Sequence, residues 1–293
     1  MSMMEQLMAG GPVVTDGAWG TQLYARGLDP GDVPDSWNLS HPDRVEEVGA
    51  AYVEAGSQVI LTNTLRANRI TLATYGLAEK TVEINRAGAA ISRRAAAGRA
   101  RVFASIGSSG RLLVMQEVSE DELFAAFREQ AIALAEGGAD ALLIETMTDL
   151  QEACVAVRAA KETGLPVAAT MVFDSGKQKD RTMMGVTPER AATELEAAGA
   201  DVVGANCGVG IAGYVAVCQR MHAATSLPIW IKANAGLPEL VDGRTPYRMT
   251  ATEFASYVPA LVEAGASFLG GCCGSGPEFV RAIAAALGSR SAP

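Results

Sequence analysis

Along this chain, stretches with apolar residues at helical spacing alternate with short, uninterrupted apolar runs. The stretch "SEDELFAAFREQAIALAEGG" carries the 3.6-residue rhythm and opens with a Ser-x-x-Glu capping box at Ser119. One junction recurs four times: "VEAGSQVILTNT" from Val53, "AEGGADALLIET" from Ala135, "EAAGADVVGANC" from Glu196 and "VEAGASFLGGCC" from Val262. Each joins the end of an Ala/Glu-rich helix, a glycine, a small residue and an apolar run. The glycine suits a helix C-cap, where a left-handed backbone is tolerated without a Cβ. The apolar run reads as a strand covered on both faces.

The four glycines, Gly56, Gly138, Gly199 and Gly265, are spaced by 82, 61 and 66 residues. A strand–helix unit takes about 30 residues, so each interval predicts two units. The intervening strands are "VFASIG" (102–107), "VAATMVF" (167–173) and "IWIKAN" (229–234), and "VVTDG" (13–17) precedes the first copy. Eight alternating units in 293 residues predict an α/β chain folded as a single-domain (β/α)8 TIM barrel over 1–293, with "GSRSAP" as a frayed tail. The alternative is an open doubly wound sheet. The Gly-x-Gly-x-x-Gly fingerprint is missing after the first strand, where the sequence runs "DGAWGTQL".

Composition narrows the function classes. Hydrophobic residues make up 49% and charged residues 19%, enough for a sizeable core. The net charge of −9 and pI of 4.9 argue against a nucleic-acid partner and against anionic membrane surfaces. Neither a signal peptide nor a membrane span is visible, so a cytoplasmic location is expected. Five cysteines without a secretion signal read as reduced thiols or metal ligands.

In such barrels the site lies at the C-terminal ends of the strands. The repeats end in Thr64, Thr146, Cys207 and Cys273, preceded by Asn63, Glu145, Asn206 and Cys272. Three cysteines therefore fall on one rim, while Cys154 and Cys218 sit in helices as small buried hydrophobes. Side chains adjacent on a strand face opposite ways. The glycines around "GGCCGSG" allow the irregular backbone that turns both sulfurs of Cys272 and Cys273 inward. Three thiolates from two loops describe a zinc site with one open position. The alternatives are incidental thiols or a glycine-rich loop that cradles phosphate.

"DGAWGTQL", "GANCG" and "GGCCG" resemble the signatures of the zinc-dependent homocysteine S-methyltransferases, over roughly Val13 to Leu287. "SIGSSGRLL", "IETMTDLQEA", "MVFDSG" and "ANAGLP" are most similar to the homocysteine-binding domain of cobalamin-dependent methionine synthase. The resemblance implies zinc on Cys207, Cys272 and Cys273, with the sulfur of homocysteine in the open position. It implies recognition of the amino acid by Asp16, its neighbouring backbone and Glu145. The segment "GSSGRLLVMQEVSEDEL" departs from the betaine and S-methylmethionine types.

The expected chemistry is methyl transfer to the thiol of homocysteine, giving methionine. The donor is read as a methylcorrinoid on a separate protein, with S-methylmethionine, S-adenosylmethionine or betaine as alternatives. A non-catalytic zinc module of a larger assembly is the alternative of another class. Asp16 and Glu145 are placed on the ammonium, and Ser105 with the N–H groups of Gly17 and Ala18 on the carboxylate. Asn234 is the candidate for the fourth zinc position without substrate, or simply a turn residue. His41 and His222 read as surface or structural residues. Trp19, Trp37 and Tyr24 wall the donor entrance or pack the first loop down. "DSGKQKDRTMMGVTP" and "GLPELVDGRTPYRM" are the segments long enough to cover the site.

Overall fold

The computed structural model describes residues 1–237 and 247–288. The middle of the second covering segment and the tail after Gly288 lie outside the described residues. The strands are β1 (Val13–Val14), β2 (Val59–Ile60), β3 (Arg101–Ile106), β4 (Ala141–Met147), β5 (Val167–Met171), β6 (Val202–Cys207), β7 (Ile229–Ala233) and β8 (Ala266–Gly271). They form one parallel sheet in the order β1-β8-β7-β6-β5-β4-β3-β2. Helices Pro42–Glu54, Thr81–Ala96, Glu120–Glu136, Leu150–Lys161, Pro188–Ala197, Ile211–His222, Val258–Glu263 and Pro277–Ala286 follow the strands in turn. This is the (β/α)8 barrel that the repeat implies, and the open sheet is set aside.

The junction glycines do what their spacing suggests. Gly56, Gly138, Gly199 and Gly265 have φ of +104°, +98°, +105° and +101°, each ending a helix in a conformation that a Cβ would strain. Ser119 closes its capping box with Glu122.

Strand alternation divides the core in two. Val102, Ala104, Leu142, Ile144, Val203, Ala205, Ile229 and Ile231 face the helices. Val13, Phe103, Ala141, Leu143, Ala168, Val202, Trp230 and Phe268 point inside, and helix Met3–Met8 packs against that cluster through Met4. Phe103, Trp230 and Phe268 stack there with centroids 5.0–6.3 Å apart. One pleat further toward the C-terminal rim, the interior turns polar: Ser105, Glu145, Thr170, Asn206 and Lys232 all lie on the inward phase. The fold thus lifts a polar layer onto an aromatic floor.

Closure between β1 and β2 combines a backbone bond with side-chain bonds. Gln58 N donates to Val14 O (2.8 Å), and Gln58 Oε1 accepts from Val14 N (3.0 Å). Leu61 N donates to Asp16 Oδ2 at 2.7 Å. Asp16 is fully buried, and its Oδ1 accepts from Lys232 Nζ at 2.5 Å across the mouth. Removing one partner of a buried pair leaves an uncompensated charge. Asp16→Asn is therefore expected to lower unfolding stability by about 3 kcal/mol. The double variant Asp16→Asn, Lys232→Met should recover most of that loss. Denaturant titration of both variants provides the check.

Candidate metal centre and acceptor cavity

The three cysteines reach one place by two different local devices. Cys207 ends β6 with φ +59°, a left-handed backbone that swings its sulfur off the strand's alternation. Thr146, its counterpart in the repeat at β4, has φ +61°. Strand β8 stops at Gly271, so Cys272 and Cys273 lie in the turn beyond it and escape the opposing pleat. Cys272 N donates to Ala233 O (2.7 Å), while the Cys272 carbonyl accepts from Ser275 N (3.1 Å) and Ser275 Oγ (2.5 Å). Gly274 follows with φ +81°, and the Tyr247 ring fills the space a Cβ would need there.

All three Sγ atoms lie within 4.8 Å of one another, and Cys207 and Cys272 are 3.1 Å apart. Two sulfurs on one tetrahedral zinc stand about 3.8 Å apart, from a Zn–S distance of about 2.3 Å. The donor set fits a tricysteine zinc site, with the Cys207–Cys272 pair standing closer than two zinc-bound sulfurs would.

The sulfurs share protons. Hydrogen bonds from Cys207 and Cys272 hold Cys273 down to about 3. Cys207 is pushed well above its ordinary value by those same bonds and by burial. Cys272 is drawn down by Cys207, but Cys273 and burial outweigh this and raise it to about 11. Two of the thiols are thus pushed up and the third down, as one cluster that shares its protons.

Asn206 supports the cluster from the polar layer. Its Oδ1 accepts from Thr146 N and Thr170 Oγ1, both at 2.8 Å. Its Nδ2 donates to Thr146 Oγ1 (2.7 Å) and faces Cys207 Sγ at 3.6 Å. Tyr214 Oη donates to the Asn206 carbonyl at 2.6 Å.

A cavity of about 280 Å³ opens beside the sulfurs, lined by the three cysteines, Gly17, Ala18, Trp19, Asp35, Ser105, Glu145, Thr146 and Lys232 among others. Glu145 is 7% exposed. Burial raises it from 4.5 to about 7, against the pull of Lys232 and of Ser105, whose Oγ donates to its Oε1. Burial likewise raises Asp35 to about 6, opposed by the Arg66 N–H. Lys232 keeps its charge: burial works against it, but Asp16, Glu145 and Cys272 outweigh the cost.

The residues expected to read substrate divide into two groups. Gly17, Ala18, Ser105 and Glu145 line the cavity. Asp16 and Asn234 are spent elsewhere. Asp16 Oδ2 accepts from Trp19 Nε1 (2.6 Å) as well as from Leu61 N, and its Oδ1 is on Lys232. Asn234 Nδ2 donates to Gly208 O (2.8 Å), and its Oδ1 accepts from Cys273 N (3.0 Å), so it joins the two cysteine loops. Two donors are also taken: Ala18 N binds Ser275 O at 2.9 Å, and the Ser105 hydroxyl binds Glu145.

The aromatic residues of the first loop separate as well. Trp19 lines the cavity, Trp37 is buried against His41, and Tyr24 faces outward at 50% exposure. His41 and His222 are exposed. Cys218 is buried, but Cys154 is only half-buried. The segment after β5 is tied down by Arg220, which bonds Asp180 Oδ2 (2.5 Å) and Glu189 (2.5 and 2.8 Å). Lys232 and Asn206 were not singled out from sequence. The available signal was a lysine inside the apolar run "IWIKA".

A parallel eight-unit barrel with three thiols gathered on its C-terminal rim defines a barrel protein whose cysteines could hold a metal ion. A family profile described as homocysteine S-methyltransferase matches residues 13–287, and the chain belongs to that family. It is 31% identical over 300 residues to methionine synthase of Mycobacterium tuberculosis, covering 96% of this chain and 25% of that protein. It is 32% identical over 308 residues to betaine–homocysteine S-methyltransferase 1 of Xenopus tropicalis, covering 97% of this chain and 75% of that protein. The chain spans about a quarter of the length of the mycobacterial methionine synthases it matches. In fold it is similar to the metallated homocysteine methyltransferase MmuM of Escherichia coli, with a TM-score of 0.80, 22% identity and coverage of 96% and 99% of the two chains.

Two outcomes follow from the proton inventory. Binding of one Zn²⁺ near pH 7 is expected to release about two protons, those of Cys207 and Cys272, measurable by calorimetry in buffers of different ionisation enthalpy. Because Glu145 is raised from 4.5 to about 7, the folded state holds its proton more tightly. Its contribution to stability is complete below pH 4.5 and is lost as pH rises through 7. Glu145→Gln should therefore be more stable than the parent by about 3 kcal/mol near pH 8 and equal to it in acid, as read from unfolding midpoints across pH.

Proposed function

We propose that the chain is a zinc-dependent homocysteine S-methyltransferase, moving a methyl group to the thiol of homocysteine to give methionine. The observation that carries this reading is the convergence of three sulfurs within 4.8 Å on the edge of a cavity that also holds a buried carboxyl, Glu145. Cys207, Cys272 and Cys273 hold the ion. Zinc bound there supplies the thiolate form of an acceptor thiol near neutral pH.

The chain's own residues do the rest. Glu145, its charge part-balanced by Lys232, faces the acceptor's amino group, and the backbone at Gly17 faces the carboxylate. Lys232 offsets the negative charge that gathers around the sulfurs. Among the described residues the cavity lining contains no histidine, and none is required, since the acceptor's proton leaves on ionisation. In the transfer a carbon–sulfur bond forms at the acceptor. The bond from methyl to donor breaks with its electron pair left on the donor. From the sequence resemblance, the donor is read as a methylcorrinoid carried by a separate protein.

Zinc-edge absorption tests the acceptor. Adding homocysteine should raise the sulfur neighbours of zinc from three to four. Cys207→Ser should lose metal and cut methyl transfer beyond the ~100-fold typical for loss of an outer partner. Turnover assays with a methylated corrinoid protein, S-methylmethionine, S-adenosylmethionine and betaine test the donor. Unchanged zinc ligation together with no turnover on any donor would instead mark a non-catalytic zinc module.

A further inference from the structure

Lys232 is the one buried lysine or arginine among the described residues, at 2% exposure. It stands on the inward phase of β7, directly above Trp230, and lines the acceptor cavity with Cys272 and Glu145. Space is kept for it: a Cβ on Gly270 would lie 3.2 Å from Lys232 Cγ and would also strike Thr15 and Asp16.

Recognition of an α-amino group needs a carboxylate with a face still open. Asp16 has none to offer. It is 0% exposed, Oδ1 accepts from Lys232 Nζ at 2.5 Å, and Oδ2 accepts from Trp19 Nε1 and Leu61 N at 2.6 and 2.7 Å. Glu145 remains, but Lys232 already balances part of its charge. An incoming ammonium therefore meets one carboxylate that is already counter-charged, with a fixed cation beside it. A carboxylate at the far end of the acceptor meets that same cation with favourable sign.

We propose that Lys232 stands in for the acceptor's ammonium on Asp16, so that the cavity takes carboxylate-bearing thiols with or without an α-amino group. This rests on the thiol-acceptor reading above. A site built to bond a particular polar group rejects the analogue lacking it by about 10⁴-fold or more. A site in which the chain supplies that group itself has little to lose when the ligand lacks it.

The test is calorimetric titration of the zinc-loaded, full-length protein with L-homocysteine and with its desamino analogue 4-mercaptobutyrate, using zinc-edge absorption to establish sulfur ligation by each. Dissociation constants within about tenfold of one another are expected, a difference of no more than ~1.4 kcal/mol. Lys232→Met, which would free Asp16 Oδ1, should shift the ratio toward homocysteine by about tenfold or more. A desamino thiol bound more than about 10³-fold more weakly than homocysteine by the parent protein overturns the proposal, as does an unchanged ratio in folded Lys232→Met. If the variant does not fold, the comparison in the parent protein decides alone. If neither thiol adds a sulfur neighbour to zinc, the acceptor reading itself falls, and this proposal with it.

Discussion

The contact between Lys232 and Asp16 ties together the sheet, the seam and the cavity. Two opposite charges out of water are tolerated only when they are close and otherwise hydrogen-bonded, and Asp16 meets that condition through Trp19 and Leu61. Satisfying Asp16 then fixes several other things. Leu61 N is held at the β1–β2 junction, where backbone pairing is sparse. Trp19 is turned so that its ring walls the cavity. Position 270 is restricted to glycine by the Thr15 hydroxyl and the Asp16 carbonyl, both within 2.6 Å of where a Cβ would lie.

The metal-binding loops depend on a second set of buried polar contacts. Cys207 ends β6 and Thr146 sits at an irregularity within β4, both in left-handed backbone, and each is a non-glycine residue in a region that costs of order 1–3 kcal/mol. Asn206 meets that cost by bonding Thr146 at both its N–H and its hydroxyl while standing next to Cys207 in the chain. The strained positions are thus the ones from which chemistry is presented, and the amide that supports them is wholly buried.

Much of the architecture was readable from local signals. A helix C-cap glycine followed by an apolar run is a short-range pattern, so all eight strands could be counted from four repeats and the gaps between them. The cysteines were readable for the same reason: their place at the ends of two repeats put them on one rim. What failed to show was long-range. Nothing near Asp16 in the chain announces Lys232, more than two hundred residues away. Asn234 has the look of a ligand because it follows the seventh strand on the same rim. Its two ends turn out to be joined to backbone that no local pattern identifies. Asn206 sits in plain view within "GANC". Its partners, though, come from β4 and β5.

Asn234 has a thermodynamic consequence of its own. One amide grips the backbone beside Cys207 with its nitrogen and the backbone of Cys273 with its oxygen. Gathering three sulfurs from sites some sixty-five residues apart is an entropic task, and this amide carries part of it. In small zinc domains the ion itself drives chain ordering, so removing it unravels them. In this barrel the Asn234 amide ties the two cysteine loops together without involving an ion, so ordering of the loops does not rest on metal alone.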